Sequence, residues 1–191
     1  MQRINSKTMA QMAILPILAE ARCVVDATAG NGHDTVFLAE NSHPDCNVYA
    51  FDIQQEALDS TKRLATEAGV MDKVELVLDS HANVEHYIDG EIDVAMFNLG
   101  YLPSGDHSLT TSADSTMEAI RKMTERLSVG GVISIVSYSG HEAGAVEQDM
   151  LWQELQALPV RYYTVSAFRM INHKKTAPML FLIEKVRGEK R

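Results

Sequence analysis

The sequence predicts an α/β fold in which a mostly parallel β-sheet is covered by helices on both faces. Short apolar runs rich in β-forming residues alternate with longer helical segments, the pattern of parallel strands joined by crossover helices. Polar and glycine-containing clusters follow the first four apolar runs, where a ligand lies in open sheets of this kind. The length of 191 residues fits one domain. We expect an N-terminal helical segment (residues 1–21) and a sheet core (residues 22–191).

The individual elements follow from the apolar runs and from the glycines and prolines between them. Near residues 6–21 we expect an apolar helix that Pro16 kinks or splits, since proline lacks an amide hydrogen. Strands are expected at 23–28, 47–53, 74–78, 92–98 and 132–138, and helices at 33–41, 54–68, 82–88, 113–127 and 145–157. The β-rich runs 161–168 and 178–185 have no helix between them, which predicts an antiparallel pair at one edge of the sheet.

Composition and charge exclude several classes of protein. With two cysteines and no CxxC, we expect neither a disulfide framework nor a metal site. We recognise no secretory signal and no membrane-spanning run, and expect a cytoplasmic protein. The net charge of −9 argues against indiscriminate nucleic-acid binding. Basic residues are nevertheless concentrated near the C-terminus, where they indicate either a local RNA-binding surface or simply a solvated terminus. They are Arg161, Arg169, Lys174, Lys175, Lys185, Arg187, Lys190 and Arg191.

The first strand exit has the features of a nucleoside-cofactor site. Asp26 is followed by Gly30 and Gly32, and Asp52 ends the next apolar run, where ribose hydroxyls are bound in nucleotide-binding sheets. The NAD-type pattern requires a third glycine where Thr35 stands, and the phosphate-binding Gly-Lys-Ser/Thr loop is absent from the sequence. The segment resembles the S-adenosylmethionine motif of class I methyltransferases, with Thr28 replacing one glycine. A ligand-free strand–turn–helix is the alternative.

The fourth strand exit is the second informative segment. Asn98-Leu99-Gly100-Tyr101-Leu102-Pro103 resembles the Asn/Asp-Pro-Pro-Tyr motif of amino-group methyltransferases, with Leu99 and Gly100 in place of the prolines. In that chemistry an asparagine oxygen accepts a hydrogen bond from the amine and aligns it with the methyl donor. A buried strand that ends in a turn is the alternative.

Taken together, the motifs resemble the small bacterial "putative rRNA methylase" family. They are Asp26–Thr35, Phe51–Gln54, Ser80-His81, Phe97–Pro103 and Gly140-His141. The characterised MnmM/YtqB group of that family methylates the aminomethyl group of tRNA wobble 5-aminomethyl-2-thiouridine. The resemblance implies a Rossmann-like three-layer class I methyltransferase fold, with seven strands of which one is antiparallel. It also implies S-adenosyl-L-methionine as cofactor, the tRNA anticodon loop as partner, and a homodimer.

These interpretations assign three groups of residues. For the cofactor we expect contacts from Asp26, Thr28, Gly30, Asn31, Gly32, Asp34, Thr35, Asp52, Ile53, Gln54, Ser80, His81 and Asn98. Asp52 would accept the ribose hydroxyls, Asn31 would hold the amino-acid end, and Ser80-His81 would border adenine. For catalysis we expect Asn98, Tyr101, Asp106 and His107, the last two to orient or deprotonate the amine, although a solvated loop is an equal alternative. For the substrate we expect Tyr101, Pro103, His141, Arg169, Asn172, Lys174 and Lys175.

Three functional hypotheses remain open from the sequence. The first is tRNA wobble-uridine N-methylation, and the second is methylation of another amine on rRNA, DNA or a protein glutamine. The third is a non-catalytic nucleoside-binding module, which would need the cofactor loops but not Asn98 and Tyr101.

Overall fold

In the computed structural model, which describes residues 4–100, 113–140 and 142–188, seven strands form one sheet in the order β3-β2-β1-β4-β5-β7-β6. The strands are β1 (Cys23–Asp26), β2 (Asn47–Asp52), β3 (Val74–Leu78), β4 (Ile92–Leu99), β5 (Leu127–Ser137), β6 (Tyr163–Arg169) and β7 (Met179–Lys185). The helices are α1 (Ser6–Leu18), α2 (His33–Asn41), α3 (Gln55–Glu67), α4 (Ala113–Arg126) and α5 (Glu142–Gln156). Short 3-10 helices lie at Met71–Lys73 and His81–His86.

Strand β7 is antiparallel to both of its neighbours, β5 and β6, while the pairs among β1 to β5 are parallel. The predicted class I methyltransferase arrangement, with one reversed strand near the sheet edge, is therefore confirmed. Strand order reverses at β1, which lies between β2 and β4. Asp26 at the end of β1 pairs with Ala50 and with Met96, so the exits of these three strands meet at one edge.

The sheet separates two apolar layers because successive side chains of a strand point to opposite faces. On β4, Val94 and Met96 pack with α1, α2 and α3 on one face. The neighbouring Ala95 and Phe97 pack with α4 and α5 on the other. The alternation of helices with strands thus produces three layers and a sheet covered on both faces.

Three predicted elements differ in the structure. Pro16 does not split α1, which continues to Leu18. The helix predicted at 82–88 is a 3-10 helix at His81–His86. Strand β5 begins at Leu127, five residues before its predicted start, with a register shift in its pairing to β4. A Cβ at Gly131 would lie 2.8 Å from the Asp93 carbonyl oxygen, so glycine is needed where the two backbones approach. The remaining boundaries differ by three residues or fewer.

Candidate active site

The loop between β1 and α2 takes a tight left-handed path that needs its glycines. Gly30 and Gly32 have φ values of 52° and 83°, a region that other residues rarely adopt. A Cβ at Gly32 would also lie 2.7 Å from the Cα of Thr61 in α3, and the Thr61 hydroxyl donates to the Gly30 carbonyl at 3.3 Å. The loop is therefore held close to α3, while Asn31 is exposed at its tip.

Asp52 connects the exits of β1 and β2. Its Oδ2 accepts the amide hydrogen of Gly30 at 2.9 Å, and its Oδ1 accepts that of Gln54 at 3.0 Å. Each oxygen retains a second lone pair, so the carboxylate can still accept hydrogen bonds from a ligand. Ile53, next in the chain, is 41% exposed.

The buried side chain of Asp26 stabilises the loop between β1 and α2. Its side chain is 1% exposed, and it accepts hydrogen bonds from the Thr28 amide at 3.1 Å and the Thr35 hydroxyl at 2.6 Å. Burial, and secondly the charge of Asp34, raise the pKa of Asp26 to about 7. Asp26, Gly32 and Thr35 are buried and are not among the residues lining the cleft described below. Their direct contact with a cofactor remains a prediction.

Asn98 at the end of β4 is fixed at two points. Its amide hydrogen is donated to the Thr28 hydroxyl at 2.8 Å, and its Nδ2 donates to Asp34 Oδ2 at 3.4 Å. Asp34 in turn forms an ion pair with Lys7 at 3.2 Å and accepts a hydrogen bond from Gln11 at 3.2 Å, both from α1. Helix α1 thus reaches the exit of β4 through side chains that the motifs did not indicate.

These exits surround a cleft of about 640 Å³. The predicted site residues that line it are Thr28, Gly30, Asn31, Asp34, Asp52, Gln54 and Asn98. Lys7, Tyr138 and Thr176 also line it and were not predicted. Tyr138 directly follows β5, so the rule that identified the first four strand exits would have found it. Lys7 lies at the start of α1, and Thr176 lies shortly before β7. No local sequence pattern marks either of them as a site residue.

The third strand exit lies beside this cleft. His81 is 5% exposed, its Nδ1 donates to the Ala27 carbonyl at 2.7 Å, and its ring packs edge-on against Phe97. Among the described residues its Nε2 has no hydrogen-bond partner. Burial lowers the pKa of His81, which favours the neutral ring. Ser80 accepts a hydrogen bond from the Ala82 amide at the start of the 3-10 helix. Neither Ser80 nor His81 is among the residues that line the cleft, so their predicted contact with adenine stays a prediction.

Several predicted catalytic and substrate residues lie outside the described residues: Tyr101, Pro103, Asp106, His107 and His141. The remaining predicted substrate residues lie at the end of β6 and in the connection that follows it. Arg169 ends β6, and Asn172, Lys174 and Lys175 are exposed in the connection to β7. Thr176 of the same connection lines the cleft, and Lys174 and Lys175 directly precede it in the sequence.

Within residues 4–100, 113–140 and 142–188, no three histidine, cysteine or acidic side chains form a group that could hold a metal ion. No helix in that part of the chain has the length and hydrophobicity needed to cross a bilayer.

Comparisons with known proteins give close relatives. A "tRNA (mnm(5)s(2)U34)-methyltransferase, chloroplastic" of Arabidopsis thaliana is 34% identical over 88% of this chain, which spans 65% of that protein. A crystal structure described as a "putative rRNA-methylase" of Clostridium thermocellum has a TM-score of 0.92 at 38% identity, covering 97% of this chain and 100% of that one. A "putative methyltransferase" of Streptococcus mutans in complex with SAH has a TM-score of 0.87 at 35% identity, covering 96% and 99%.

A family model also matches residues 48–184, which include the exits of β2, β3, β4 and β5. This match and the sequence identities agree with the resemblance deduced from the motifs. The chain belongs to the family described as "Putative rRNA methylase".

Proposed function

We propose that this protein is an S-adenosylmethionine-dependent N-methyltransferase that acts on the aminomethyl group of 5-aminomethyl-2-thiouridine at the tRNA wobble position. The observation on which the proposal chiefly rests is the convergence of Asp52 and Asn98 on one cleft. The name of the Arabidopsis relative supports the choice of substrate, and SAH in the Streptococcus mutans structure supports the cofactor. This chain spans 65% of the Arabidopsis protein.

The residues of the cleft fit S-adenosylmethionine. Asn31 is exposed and lines the cleft beside Gly30, which suits the amino-acid end, and Asp52 has free lone pairs for ribose hydroxyls. A cleft of about 640 Å³ lies within the range typical of small-molecule sites. When bound, this cofactor supplies an activated methyl group on a sulfonium, so the protein needs neither a metal nor a covalent nucleophile.

The task of the protein is then to hold an amine in line with that methyl group. Asn98 Nδ2 faces Asp34, which leaves its Oδ1 to accept a hydrogen bond from the substrate. Alignment of this kind supplies much of the acceleration in a displacement reaction. The amine must also lose a proton, because an alkylamine is mostly protonated near neutral pH. For that step Asp106 and His107 remain predictions.

The proposed RNA contact lies at the connection between β6 and β7. Lys174 and Lys175 are exposed there and can approach phosphates, which the acidic body of the protein repels. An anticodon loop is single-stranded, so its base can leave the stack and enter the cleft. The predicted stacking on Tyr101 belongs to this hypothesis, as do the cytoplasmic location and the homodimer.

Nucleoside mass spectrometry of tRNA from a strain that lacks this gene tests the function. We expect 5-aminomethyl-2-thiouridine to accumulate, and purified protein with S-adenosylmethionine to convert it to the methylated nucleoside. The Asn98→Ala variant should bind S-adenosylhomocysteine but fail in this conversion. Unchanged tRNA nucleosides would reject the substrate assignment.

Methylation of an rRNA amine is the second candidate, favoured by the description of the matching family. It uses the same cofactor residues and the same Asn98. A missing methyl group in rRNA, with unchanged tRNA nucleosides, would select it. DNA or protein glutamine as acceptors would leave both RNA pools unchanged, and a non-catalytic module would bind the cofactor without turnover.

A further inference from the structure

We infer that Asp34 is a positioning residue that fixes the orientation of the Asn98 side-chain amide, and that helix α1 holds Asp34 for this purpose. The inference rests on the proposed function, in which Asn98 Oδ1 accepts the hydrogen bond of the substrate amine. Sequence motifs indicated only a cofactor contact for Asp34. Its surroundings indicate a different role.

The carboxylate of Asp34 is nearly buried and is surrounded by donors. On Oδ1 it receives Lys7 Nζ and Gln11 Nε2, each at 3.2 Å, from successive turns of α1. On Oδ2 it receives Asn98 Nδ2 at 3.4 Å. The side chain is 7% exposed, so water competes little for these positions. Asp34 therefore links α1 to the end of β4.

The chemistry of these groups determines which way the Asn98 amide faces. The oxygen and nitrogen ends of an amide have nearly the same shape, so packing alone does not distinguish them. An ionised carboxylate can only accept hydrogen bonds, so Asn98 must present Nδ2 to Asp34 and leave Oδ1 as the acceptor for a ligand. The Asn98 backbone is held separately, by the Thr28 hydroxyl at 2.8 Å. Asp34 thus controls the amide orientation rather than the position of the strand.

Lys7 places a positive charge 3.2 Å from Asp34 Oδ1. Neighbouring groups also respond to the charge of Asp34. Burial, and secondly this charge, raise the pKa of Tyr138, which also lines the cleft. The same two causes raise the pKa of Asp26. A negative charge at Asp34 therefore acts on the end of the cleft where Asn98 lies.

The decisive variant is Asp34→Asn, which keeps the shape but introduces an amide that can donate as well as accept. Asn98 can then adopt either orientation, and we expect kcat on the RNA substrate to fall about 10- to 100-fold, the usual effect of a misplaced reactive group. The Kd of S-adenosylhomocysteine, measured by calorimetry, should stay close to the wild-type value. Asp45→Asn is the matched control, since Asp45 pairs with Arg22 at 3.1 Å before β2, away from the strand exits.

Two further measurements separate positioning from a general structural effect. Lys7→Met should lower kcat in the same direction as Asp34→Asn, and Lys7→Arg should restore it, because arginine retains the ion pair. The side-chain amide signal of Asn98 in a ¹⁵N NMR spectrum, identified by its loss in Asn98→Ala, should shift in Asp34→Asn and stay in place in Asp45→Asn.

The failures of the two proposals are distinguishable. An inactive wild-type protein on tRNA and rRNA would overturn the proposed function together with this role. An active wild type whose Asp34→Asn variant keeps its kcat would overturn the positioning role alone. So would an Asp34→Asn variant in which S-adenosylhomocysteine affinity falls together with kcat, since Asp34 would then be a cofactor ligand.

Discussion

Replacement of Asp26 by asparagine should change how the stability of the protein depends on pH. Burial and the neighbouring charge of Asp34 raise the pKa of Asp26 from 3.8 to about 7 in the folded protein. Between these values the folded state holds a proton that the unfolded state has released, so stability falls as pH rises. The contribution of Asp26 is fully present below about pH 4 and is lost as pH rises through about 7.

The size of the effect follows from the shift itself. At 1.36 kcal/mol for each pKa unit, the rise from 3.8 to about 7 corresponds to about 4 kcal/mol. An asparagine at position 26 does not titrate. The stability of the wild type relative to Asp26→Asn should therefore fall by about 4 kcal/mol between about pH 4 and pH 8. Any loss of the hydrogen bonds to Thr28 and Thr35 is common to every pH and cancels in this comparison.

Urea denaturation of both proteins across this pH range measures the difference. The exposed Asp59→Asn variant is the control, because it makes the same substitution at the surface rather than in the interior. Asp34→Asn should shift the transition to lower pH, since it removes a charge that raises the pKa of Asp26. A wild type and an Asp26→Asn variant with parallel pH profiles would refute the reasoning.

Three further predictions concern the loop, the cofactor and the RNA. The free energy of unfolding of Gly32→Ala, measured in urea, should be about 1–3 kcal/mol lower than that of Gly69→Ala. Both glycines have positive φ, but of the two only Gly32 would place a Cβ against the α3 backbone, so equal stabilities would contradict this reasoning. Asp52→Ala should weaken S-adenosylhomocysteine binding by about 1–3 kcal/mol in calorimetry, and unchanged affinity would exclude Asp52 as a ligand. Reversing the charges of Lys174 and Lys175 should weaken tRNA binding in filter-binding assays and make it depend less on salt concentration, while cofactor affinity stays constant. An unchanged salt dependence would mean that the RNA binds to another surface.

The order of strands and helices could be predicted because each element has its own local pattern. Strand β5 shows the limit of that approach. Gly130-Gly131 indicate a turn when they are read locally, yet they lie inside the strand. The reason is a long-range contact, since Gly131 passes close to the backbone of Asp93 on β4. A pairing of this kind leaves no periodic signal in the sequence.

The candidate site shows the same division between local and long-range information. Asp52 and Asn98 end apolar runs, so the rule that ligands lie at strand exits found them. Lys7 and Gln11 belong to a helix that precedes the first strand, and they contact Asp34 only after the chain has folded. The buried position of Asp26 behind the cleft likewise depends on packing that a motif does not encode.

The charges of the cleft are consistent with the reaction proposed for it. Methyl transfer moves the positive charge from the sulfonium sulfur to the amine nitrogen, which becomes a methylammonium before it loses a proton. An acid that lies closer to the nitrogen than to the sulfur therefore binds the transition state more tightly than the reactant. Among the described residues that line the cleft, Asp34 and Asp52 are acidic and Lys7 is the one lysine or arginine. Asp34 contacts Asn98, so its carboxylate lies near the position proposed for the amine, and Lys7 pairs with Asp34 from α1. Asp52 receives no such cation among the described contacts, and each of its oxygens keeps a lone pair for the ribose hydroxyls that we propose it binds.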